Sequence, residues 1–396
     1  MGIADMNYEC LLLEAQEKMN GGLSANPGIA SKERMSITSK KTLNALSLFS
    51  GGGGLDLGFS AAGFRVGVSS DIDSYSCATL ELNKGRKSFY KHAKAIQTDI
   101  TKVDARDLIE GVYVDASGID LIIGGPPCQA FSVFGQRKGL GDPRGNLVWE
   151  YLRIIKEIQP AAFVFENVAG LKSIHEGKLY EEILESLTLG GMYTVSAHNY
   201  QLADFGIPQF RERIFFIGAK NGNQVPQMTP THGDSTNLNP YRTAEEALRF
   251  MPKPGIDCPL PNHVGRKHSQ RIVDRYSGLV FGERDPKTRI NKLHPKRPSY
   301  TIIVGSDNGG GKGHVHPFTP REVTPRESAR IQTFPDWWQF HGSGRHVIRQ
   351  VGNAVPPLFA AQLAEHVKMH VFGRKSKKSY EELVDILGLD YLLKNK

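Results

Sequence analysis

The sequence predicts an α/β protein: a mostly parallel sheet with helices on both faces, followed by a smaller, irregular domain. Short apolar segments alternate with stretches of helical spacing from Asn44 to Lys220, and a glycine cluster follows the first of them. After Lys220 the alternation stops, and Pro, Gly, His, Lys and Arg become frequent. Because ligands bind at the carboxyl ends of the strands in such sheets, the residues that end each strand matter most.

Composition narrows the class of protein. The 396 residues carry a formal net charge of +8, which favours an anionic partner such as nucleic acid. The four cysteines lack CxxC spacing, which indicates neither a disulfide framework nor a zinc cluster and fits a reducing, cytoplasmic interior. No apolar run approaches the roughly 18 to 20 residues of a membrane span, and the N-terminus lacks the apolar core of a signal peptide. We therefore expect neither membrane insertion nor export.

The pattern divides the chain into five parts. Each part is defined by its periodicity and charge, and the boundaries are 1–41 for an N-terminal appendage and linker, 42–224 for the α/β domain, 225–343 for the smaller domain, 344–372 for a return to the α/β domain and 373–396 for a basic hinge with a C-terminal helix. We assign no chemistry to the last part.

The first three strand ends suit a nucleoside-bearing cofactor. The segment LSLFSGGGGLDLGF places glycines between a strand and a helix, where backbone can approach a ligand closely. Asp71 closes the next strand about twenty residues on, where such folds place a carboxylate on a ribose. Asp99 ends the third strand-like run. The alternative for both carboxylates is helix capping, and the two roles can coexist.

The next two strand ends carry reactive groups. Cys128 follows the apolar run LII in GGPPCQ, and Glu166 lies in FENV. If these strands are neighbours, a thiolate nucleophile and a carboxyl group that can hydrogen-bond or protonate a substrate share one crevice. A lone cysteine can equally be a small packed residue, so this arrangement alone does not decide the function.

A basic segment follows. Between His263 and Tyr300 there are ten Lys and Arg residues against three acidic ones. Such a cluster can be a solvated face, but its concentration in one segment favours a surface that contacts phosphates.

Eight motifs in order identify a family resemblance. They are LFSGGGGLDLGF, DIDSY, TDI, GGPPCQAFSVFGQRKGLGDPRGN, FENV, GIPQFRERIFFIG, TPRESARIQTFPD and QVGNAVPP. With these motifs the chain resembles the DNA (cytosine-5)-methyltransferases of bacterial restriction–modification systems over about 42–225 and 297–372. The resemblance implies a Rossmann-like S-adenosylmethionine-dependent methyltransferase fold. It also implies an enzyme that methylates carbon 5 of a cytosine within a specific double-stranded DNA sequence. On this resemblance, 42–224 would be the catalytic and cofactor-binding domain, 225–343 the target-recognition domain and 344–372 the return to the catalytic domain.

The resemblance assigns roles by position. The positions that would bind S-adenosylmethionine, and its product S-adenosylhomocysteine, are Phe49, Ser50, Gly51, Gly53, Asp71, Ile72, Asp99 and Asn353. Those matching catalytic residues are Cys128, Glu166, Arg211 and Arg213, and those expected to contact DNA are Gln129, Arg144 and Thr301. The segment 129–146 matches a mobile loop that closes over DNA. Arg326, Glu327 and Arg330 match a motif that braces the recognition domain.

The chemistry of that family explains the residue types. Carbon 5 of cytosine is a poor nucleophile until a thiolate adds to carbon 6 and charge spreads toward ring nitrogen 3. A stacked base is out of reach, so the cytosine must leave the helix. No metal is predicted, since His314 and His316 lack carboxylates at ligand spacing and are expected to be ordinary hydrogen-bonded histidines.

Three other functions remain open at this stage: the same chemistry on RNA, sequence-specific DNA binding without turnover, and a nicotinamide dehydrogenase, which leaves PPCQ, ENV and the basic segment unexplained. We expect a monomer in the bacterial cytoplasm, with a cognate restriction endonuclease as its functional partner.

Overall fold

The computed structural model describes residues 42–91, 93–110, 112, 118–127, 147–220, 222–302, 304, 313–375 and 377–393. Thr42–Lys396 forms one compact unit. The predicted appendage, 1–41, lies outside the described residues, and the boundaries predicted within 42–396 stay a prediction.

Seven strands form a single sheet in the order β3-β2-β1-β4-β5-β7-β6. They are β1 (Asn44–Leu48), β2 (Arg65–Asp71), β3 (Lys94–Gln97), β4 (Leu121–Gly124), β5 (Ala162–Val168), β6 (Thr194–Gln201) and β7 (Glu212–Ala219). All pairings from β3 to β5 are parallel, whereas β7 runs antiparallel to both β5 and β6. The prediction of a mostly parallel sheet is confirmed.

The order of the strands reverses between β1 and β4. The chain runs outward from β1 to β3 on one side and then begins again with β4 on the other. Such a switch point leaves a crevice at the carboxyl ends of the two strands. Leu48 and Gly124, the last residues of β1 and β4, are partners in the register. The glycine turn and the GPPC segment therefore start side by side.

Apolar side chains cover both faces of the sheet. Successive residues of β4 alternate between two buried clusters, with Leu121 and Ile123 in one and Ile122 in the other. Because side chains of a strand point to opposite faces in turn, each face has its own core. This burial on both sides explains the nearly continuous apolar runs that predicted the strands.

Helices supply the covering layers. In the described part of the chain the α-helices are α1 (Gly54–Ala61), α2 (Ser74–Asn83), α3 (Ala105–Ile109), α4 (Leu147–Ile158), α5 (Lys178–Leu187), α6 (Ala244–Leu248), α7 (Gln270–Gly278), α8 (Pro325–Ile331), α9 (Gly344–Asn353), α10 (Pro357–His370) and α11 (Tyr380–Leu387). Of these, α7 contributes Tyr276 to a small cluster apart from the two cores that flank the sheet. The 3₁₀ helices within the described residues are Ser88–Tyr90, Ile100–Lys102, Ala169–Gly177, Leu202–Phe205 and Asp390–Leu392. The predicted helices 147–158 and 179–187 are confirmed as α4 and α5. No helix in the described part of the chain has the length and apolarity needed to cross a membrane.

The helix that follows the glycine turn packs unusually closely on α10. A Cβ at Gly58 of α1 would lie 2.5 Å from the carbonyl oxygen of Pro357 and 2.4 Å from Ala360 Cβ. Glycine is therefore required for this approach. The predicted return of the chain thus brings α10 onto the helix beside the glycine turn.

The basic segment contains little regular structure. Three of its apolar residues, Tyr276, Leu279 and Ile290, form a separate buried cluster with Val315, which lies beyond the segment. By contrast, α8 belongs to the main core through Ala329 and Ile331.

Candidate active site

The glycine turn after β1 lies at the switch point, and Gly51 within it borders open space. Phe49, Gly51 and Gly53 have left-handed backbones, with φ of 54°, 52° and 83°. A Cβ added at Gly51 meets no atom within 4 Å, whereas one at Gly53 would lie 2.8 Å from side-chain atoms of Leu80 and Trp338. Gly53 is therefore needed for packing, while Gly51 borders open space.

Asp71, at the end of β2, supports this turn directly. Its Oδ2 accepts a hydrogen bond from the Gly51 amide at 2.8 Å, and its Oδ1 accepts one from the Asp73 amide at 2.8 Å. Burial raises the pKa of the Asp71 carboxyl, although these hydrogen bonds lower it. Asp73, rather than Asp71, caps α2.

Asp99 lies two residues beyond β3, which ends at Gln97, so it does not close the strand itself. Its carboxylate accepts hydrogen bonds from the Thr101 amide and hydroxyl at 3.1 and 2.8 Å. These bonds lower the pKa of Asp99. The capping alternative is thus what the structure shows here, and the carboxylate remains 30% exposed.

These residues fit an adenosyl group. Ile72 is 67% exposed although it is apolar, and it directly follows Asp71, which is half-buried. Asn353, at the end of α9, is also exposed. An apolar side chain for a base, a carboxylate for a ribose and open space at Gly51 are the features that such a ligand needs. Ser50, which follows Phe49 in the turn, is half-buried.

Glu166 lies beside the chain that leads to Cys128. β4 and β5 are adjacent and parallel, with Gly124 opposite Phe165, as the sequence hypothesis required. A Cβ added at Gly125 would lie only 2.8 Å from Glu166 Oε2. Cys128, Gln129 and Arg144 themselves, and the predicted loop 129–146, lie outside the described residues.

Two arginines at the start of β7 act on Glu166: Arg213 is the second residue of the strand, and Arg211 directly precedes it. Arg213 Nε lies 2.9 Å from Glu166 Oε1, in a pair whose side chains are 15% and 12% exposed. Burial raises the pKa of Glu166, and the positive charges of Arg213 and Arg211 only partly offset this effect. A raised pKa favours the protonated form of a carboxyl group, which can donate a hydrogen bond.

Arg211 is buried, with unused donors. Its Nη2 donates to the Ala354 carbonyl at 3.1 Å, but its Nε and Nη1 have no hydrogen-bond partner within the described part of the chain. Burial lowers its pKa to about 9. Buried polar groups are normally paired, so these two donors are suited to hydrogen-bond a bound ligand.

A chain of glutamines, which the sequence reasoning missed, fixes this segment. Gln209 donates to Gln332, which donates to the same Ala354 carbonyl that Arg211 contacts. The only sequence signal was the presence of amides within GIPQFRER and ARIQTF, and their pairing depends on tertiary contacts.

Thr301 is exposed, and its hydroxyl donates to the Phe210 carbonyl at 2.8 Å, next to Arg211. In the basic segment, most cationic side chains are exposed. They are Arg266, Lys267, Arg271, Arg284, Lys287, Arg289, Lys296 and Arg297.

The motif around α8 is structural, as predicted. The buried guanidinium of Arg326 donates to the carbonyls of Pro261 and Pro335 at 2.8 and 3.0 Å. Arg330 forms an ion pair with Asp336, and Glu327 pairs with Arg321 at 2.8 Å.

The two histidines of the H-x-H pair have protein partners. His314 Nε2 lies 3.0 Å from the Thr301 carbonyl, and His316 Nδ1 accepts from the Phe318 and Thr319 amides at 3.1 and 3.2 Å. The expectation of ordinary hydrogen-bonded histidines is confirmed.

A second network escaped sequence analysis. Asp56 in α1 is fully buried and accepts hydrogen bonds from Ser47 of β1 and Ser69 of β2. Two serines within otherwise apolar buried strands were the available signal, because a buried hydroxyl needs a partner.

Comparisons with known proteins show which chains are similar to this one. A family model described as C-5 cytosine-specific DNA methylase matches residues 43–369. The chain is 40% identical over 247 residues to the type II methyltransferase M.AquIA of Picosynechococcus, covering 58% of this chain and 96% of that protein. It is 35% identical to the type II methyltransferase M1.HphI of Haemophilus parahaemolyticus, covering 82% and 87% of the two chains. The crystal structure of S. pombe Dnmt2 methyltransferase shares the fold, with a TM-score of 0.57, 17% identity and coverage of 83% and 99%.

Proposed function

The chain belongs to the C-5 cytosine-specific DNA methylase family, and from this premise we propose that it methylates cytosine through a covalent bond between Cys128 and a base turned out of the DNA helix. The membership makes it a DNA (cytosine-5)-methyltransferase, related to the modification enzymes of type II restriction–modification systems. The covalent step, the extruded base and the individual site residues are the parts that we propose.

The proposed reaction starts with the thiolate of Cys128. Its sulfur attacks carbon 6 of cytosine, a C–S bond forms, and the electron pair of the 5,6 double bond becomes available at carbon 5. Glu166 shares a proton with ring nitrogen 3, which stabilises the negative charge that spreads toward that atom. Bound S-adenosylmethionine supplies the methyl group as part of a cationic sulfonium. Carbon 5 takes this methyl group, and S-adenosylhomocysteine is left as the product. A solvent water molecule then takes the proton from carbon 5, the electron pair of that C–H bond re-forms the 5,6 double bond, the C–S bond breaks, and the thiolate is released from 5-methylcytosine.

The arginines support Glu166 in this scheme. Arg213 holds the carboxyl group from one side through its 2.9 Å contact. The two unused donors of Arg211 supply positive charge and hydrogen-bonding capacity near the proposed base pocket. Substitution of Arg211 or Arg213 should impair the orientation of the base more than the binding of the cofactor.

Binding to DNA is assigned to the basic segment. Exposed Lys and Arg side chains such as Arg284, Lys287 and Arg289 suit contacts to phosphates, which supply affinity without reading the sequence. Gln129, Arg144 and Thr301 are proposed to contact DNA near the target base. This binding energy repays the few kcal/mol that extrusion of a base costs.

The remaining predictions complete the proposal. The glycine turn, Asp71, Ile72, Asp99 and Asn353 bind S-adenosylmethionine, and the reaction needs no metal. We propose that the enzyme acts as a monomer on host DNA in the bacterial cytoplasm and protects it from a cognate endonuclease.

The observation that carries the proposal is the position of Glu166. Its carboxyl group lies against Gly125, three residues before Cys128, and has a raised pKa. Bisulfite sequencing of DNA from bacteria that express the chain tests the activity and maps its target. We expect one cytosine in every copy of one short sequence to resist bisulfite conversion. In cells that express Cys128→Ala, no cytosine should resist it at that sequence. Methylation by Cys128→Ala, or none by the folded wild-type enzyme, contradicts the proposal.

A further inference from the structure

A fully buried carboxylate lies beneath the glycine turn. Asp56, in the first turn of α1, accepts hydrogen bonds from Ser47 Oγ and Ser69 Oγ, each at 2.5 Å. Ser47 and Ser69 are direct partners in the register of β1 and β2. Asp56 therefore bridges the two strands whose carboxyl ends carry the turn and Asp71.

A chain of hydroxyl groups leads from Asp56 to the turn. Ser47 Oγ also lies 2.8 Å from the hydroxyl of Ser50. A serine hydroxyl has a single proton to donate. Because Ser47 donates that proton to Asp56, Ser50 donates its own proton to Ser47, whose Oγ lies at 2.8 Å and whose carbonyl oxygen lies at 3.3 Å. The Ser50 oxygen therefore keeps only lone pairs for any further partner.

We infer that Asp56 and Ser47 are positioning residues, which hold the Ser50 hydroxyl as a hydrogen-bond acceptor toward bound S-adenosylmethionine. The inference rests on the proposed function, since it requires that the turn binds this molecule. An oxygen that offers lone pairs suits a ligand with a cationic ammonium group, which can only donate. Neither Asp56 nor Ser47 contacts the ligand in this account.

Protonation of Asp56 reverses the direction of the hydrogen bonds between Asp56, Ser47 and Ser50. Burial raises the pKa of Asp56 to about 6, although the hydrogen bonds from Ser47 and Ser69 lower it. Among the described residues, the ionisable groups that act on Asp56 or respond to its charge are Asp71 and Tyr90, and neither is a cation. A protonated Asp56 can donate to Ser47, which then donates to Ser50. Affinity for S-adenosylmethionine should therefore fall as the pH decreases through about 6.

The chain offers a matched pair of variants. Ser47→Ala and Ser69→Ala each remove one fully or nearly fully buried hydroxyl and one hydrogen bond to Asp56, but only Ser47→Ala breaks the path to Ser50. Isothermal titration calorimetry on the full chain gives the dissociation constants for S-adenosylmethionine and S-adenosylhomocysteine at pH 7.5 and 5.5. Thermal unfolding of each variant checks that both are folded and equally destabilised.

We expect Ser47→Ala to weaken binding of S-adenosylmethionine at pH 7.5 by about fivefold, the value of one hydrogen bond, and Ser69→Ala by less than about twofold. The loss of affinity for S-adenosylmethionine between pH 7.5 and pH 5.5 should be smaller in Ser47→Ala than in the wild-type protein and in Ser69→Ala. If Ser47→Ala does not fold, Ser50→Ala, at a half-buried position, should show the same loss and the same reduced response to pH.

Equal losses of affinity in Ser47→Ala and Ser69→Ala overturn the inference and leave the proposed function intact. Unchanged affinity in Ser50→Ala overturns it as well. Failure of the folded wild-type chain to bind S-adenosylmethionine contradicts the proposed function itself, so the two failures are distinguishable.

Discussion

Replacement of Gly125 by alanine should reduce methylation strongly without unfolding the protein. The new Cβ would lie 2.8 Å from Glu166 Oε2 but 3.7 Å, an ordinary contact distance, from Glu166 Cβ and its carbonyl oxygen. The atom in conflict is the end of a flexible side chain, so it can move at little cost. The carboxyl group, and not the backbone, is therefore expected to shift.

The size of the effect follows from that shift. Displacement of a catalytic group by up to about 1 Å costs about 10- to 100-fold in rate, which corresponds to about 1.4 to 2.7 kcal/mol of transition-state stabilisation. The loss should appear in kcat, because Glu166 acts on the base during the reaction and does not hold the cofactor. Stability should change by less than about 1 kcal/mol.

Single-turnover transfer of labelled methyl groups to a DNA duplex containing the mapped site measures this effect. Gly170→Ala is the control, since a Cβ there meets no atom within 4 Å, and it should retain full activity. Equal activity of Gly125→Ala and the wild-type enzyme would refute the placement of Glu166 in the reaction.

Three further predictions test stability and DNA binding. Leu387→Ala in the C-terminal helix, where the side chain is fully buried, should lower the free energy of unfolding in urea by about 2 to 5 kcal/mol. The control Ile256→Ala, at a side chain that is 91% exposed, should lower it by less than about 0.5 kcal/mol. Equal losses in the two variants would contradict the packing of this helix. Burial lowers the pKa of His366 to about 4, so the folded state keeps it neutral, and its contribution to stability is lost as the pH falls from 6.5 toward 4. His366→Gln keeps a donor for the Pro226 carbonyl. In this variant the decrease in unfolding free energy between pH 6.5 and 4 should be smaller than in the wild-type protein by about 3 kcal/mol. An equal decrease in both proteins would show that His366 does not contribute to it. Lys287→Ala should reduce the slope of log affinity for DNA against log salt concentration by about 1, and an unchanged slope would place Lys287 away from the DNA.

Much of the cofactor half of the site was predictable from local pattern. Apolar runs such as those around Leu121 and Ala162 predict buried strands, and the residues that follow them collect at one edge because parallel strands end together. Asp71 and Glu166 were found in this way, and the structure places both at that edge.

The remaining features depend on contacts between distant parts of the chain. The insertion of β7 antiparallel between β5 and β6 leaves no mark on its apolar pattern, because a strand buried on both faces reads alike in either direction. The C-terminal helix was assigned no role from sequence, yet Leu383 and Leu387 are buried in the main core. Its short amphipathic pattern predicts a helix but does not say which surface it covers.

The buried polar networks were the least predictable part. In the sequence, Asp56 resembles any acidic residue in the first turn of a helix, where a negative charge interacts favourably with the helix dipole. Only the tertiary structure shows that its carboxylate is enclosed by Ser47 and Ser69. Asp99, similarly, carries a capping role that its position after an apolar run predicts no better than cofactor binding.

The central claim concerns the bond between Cys128 and cytosine, and it can be measured directly. A duplex that carries 5-fluorocytosine at the mapped target cannot lose a proton from carbon 5, so the C–S bond should persist. Intact-mass spectrometry in the presence of S-adenosylmethionine should show the enzyme and the methylated DNA strand joined one to one, with the adduct mapped to Cys128 and absent in Cys128→Ser. An active enzyme that yields no adduct, or an adduct on another residue, would contradict the account.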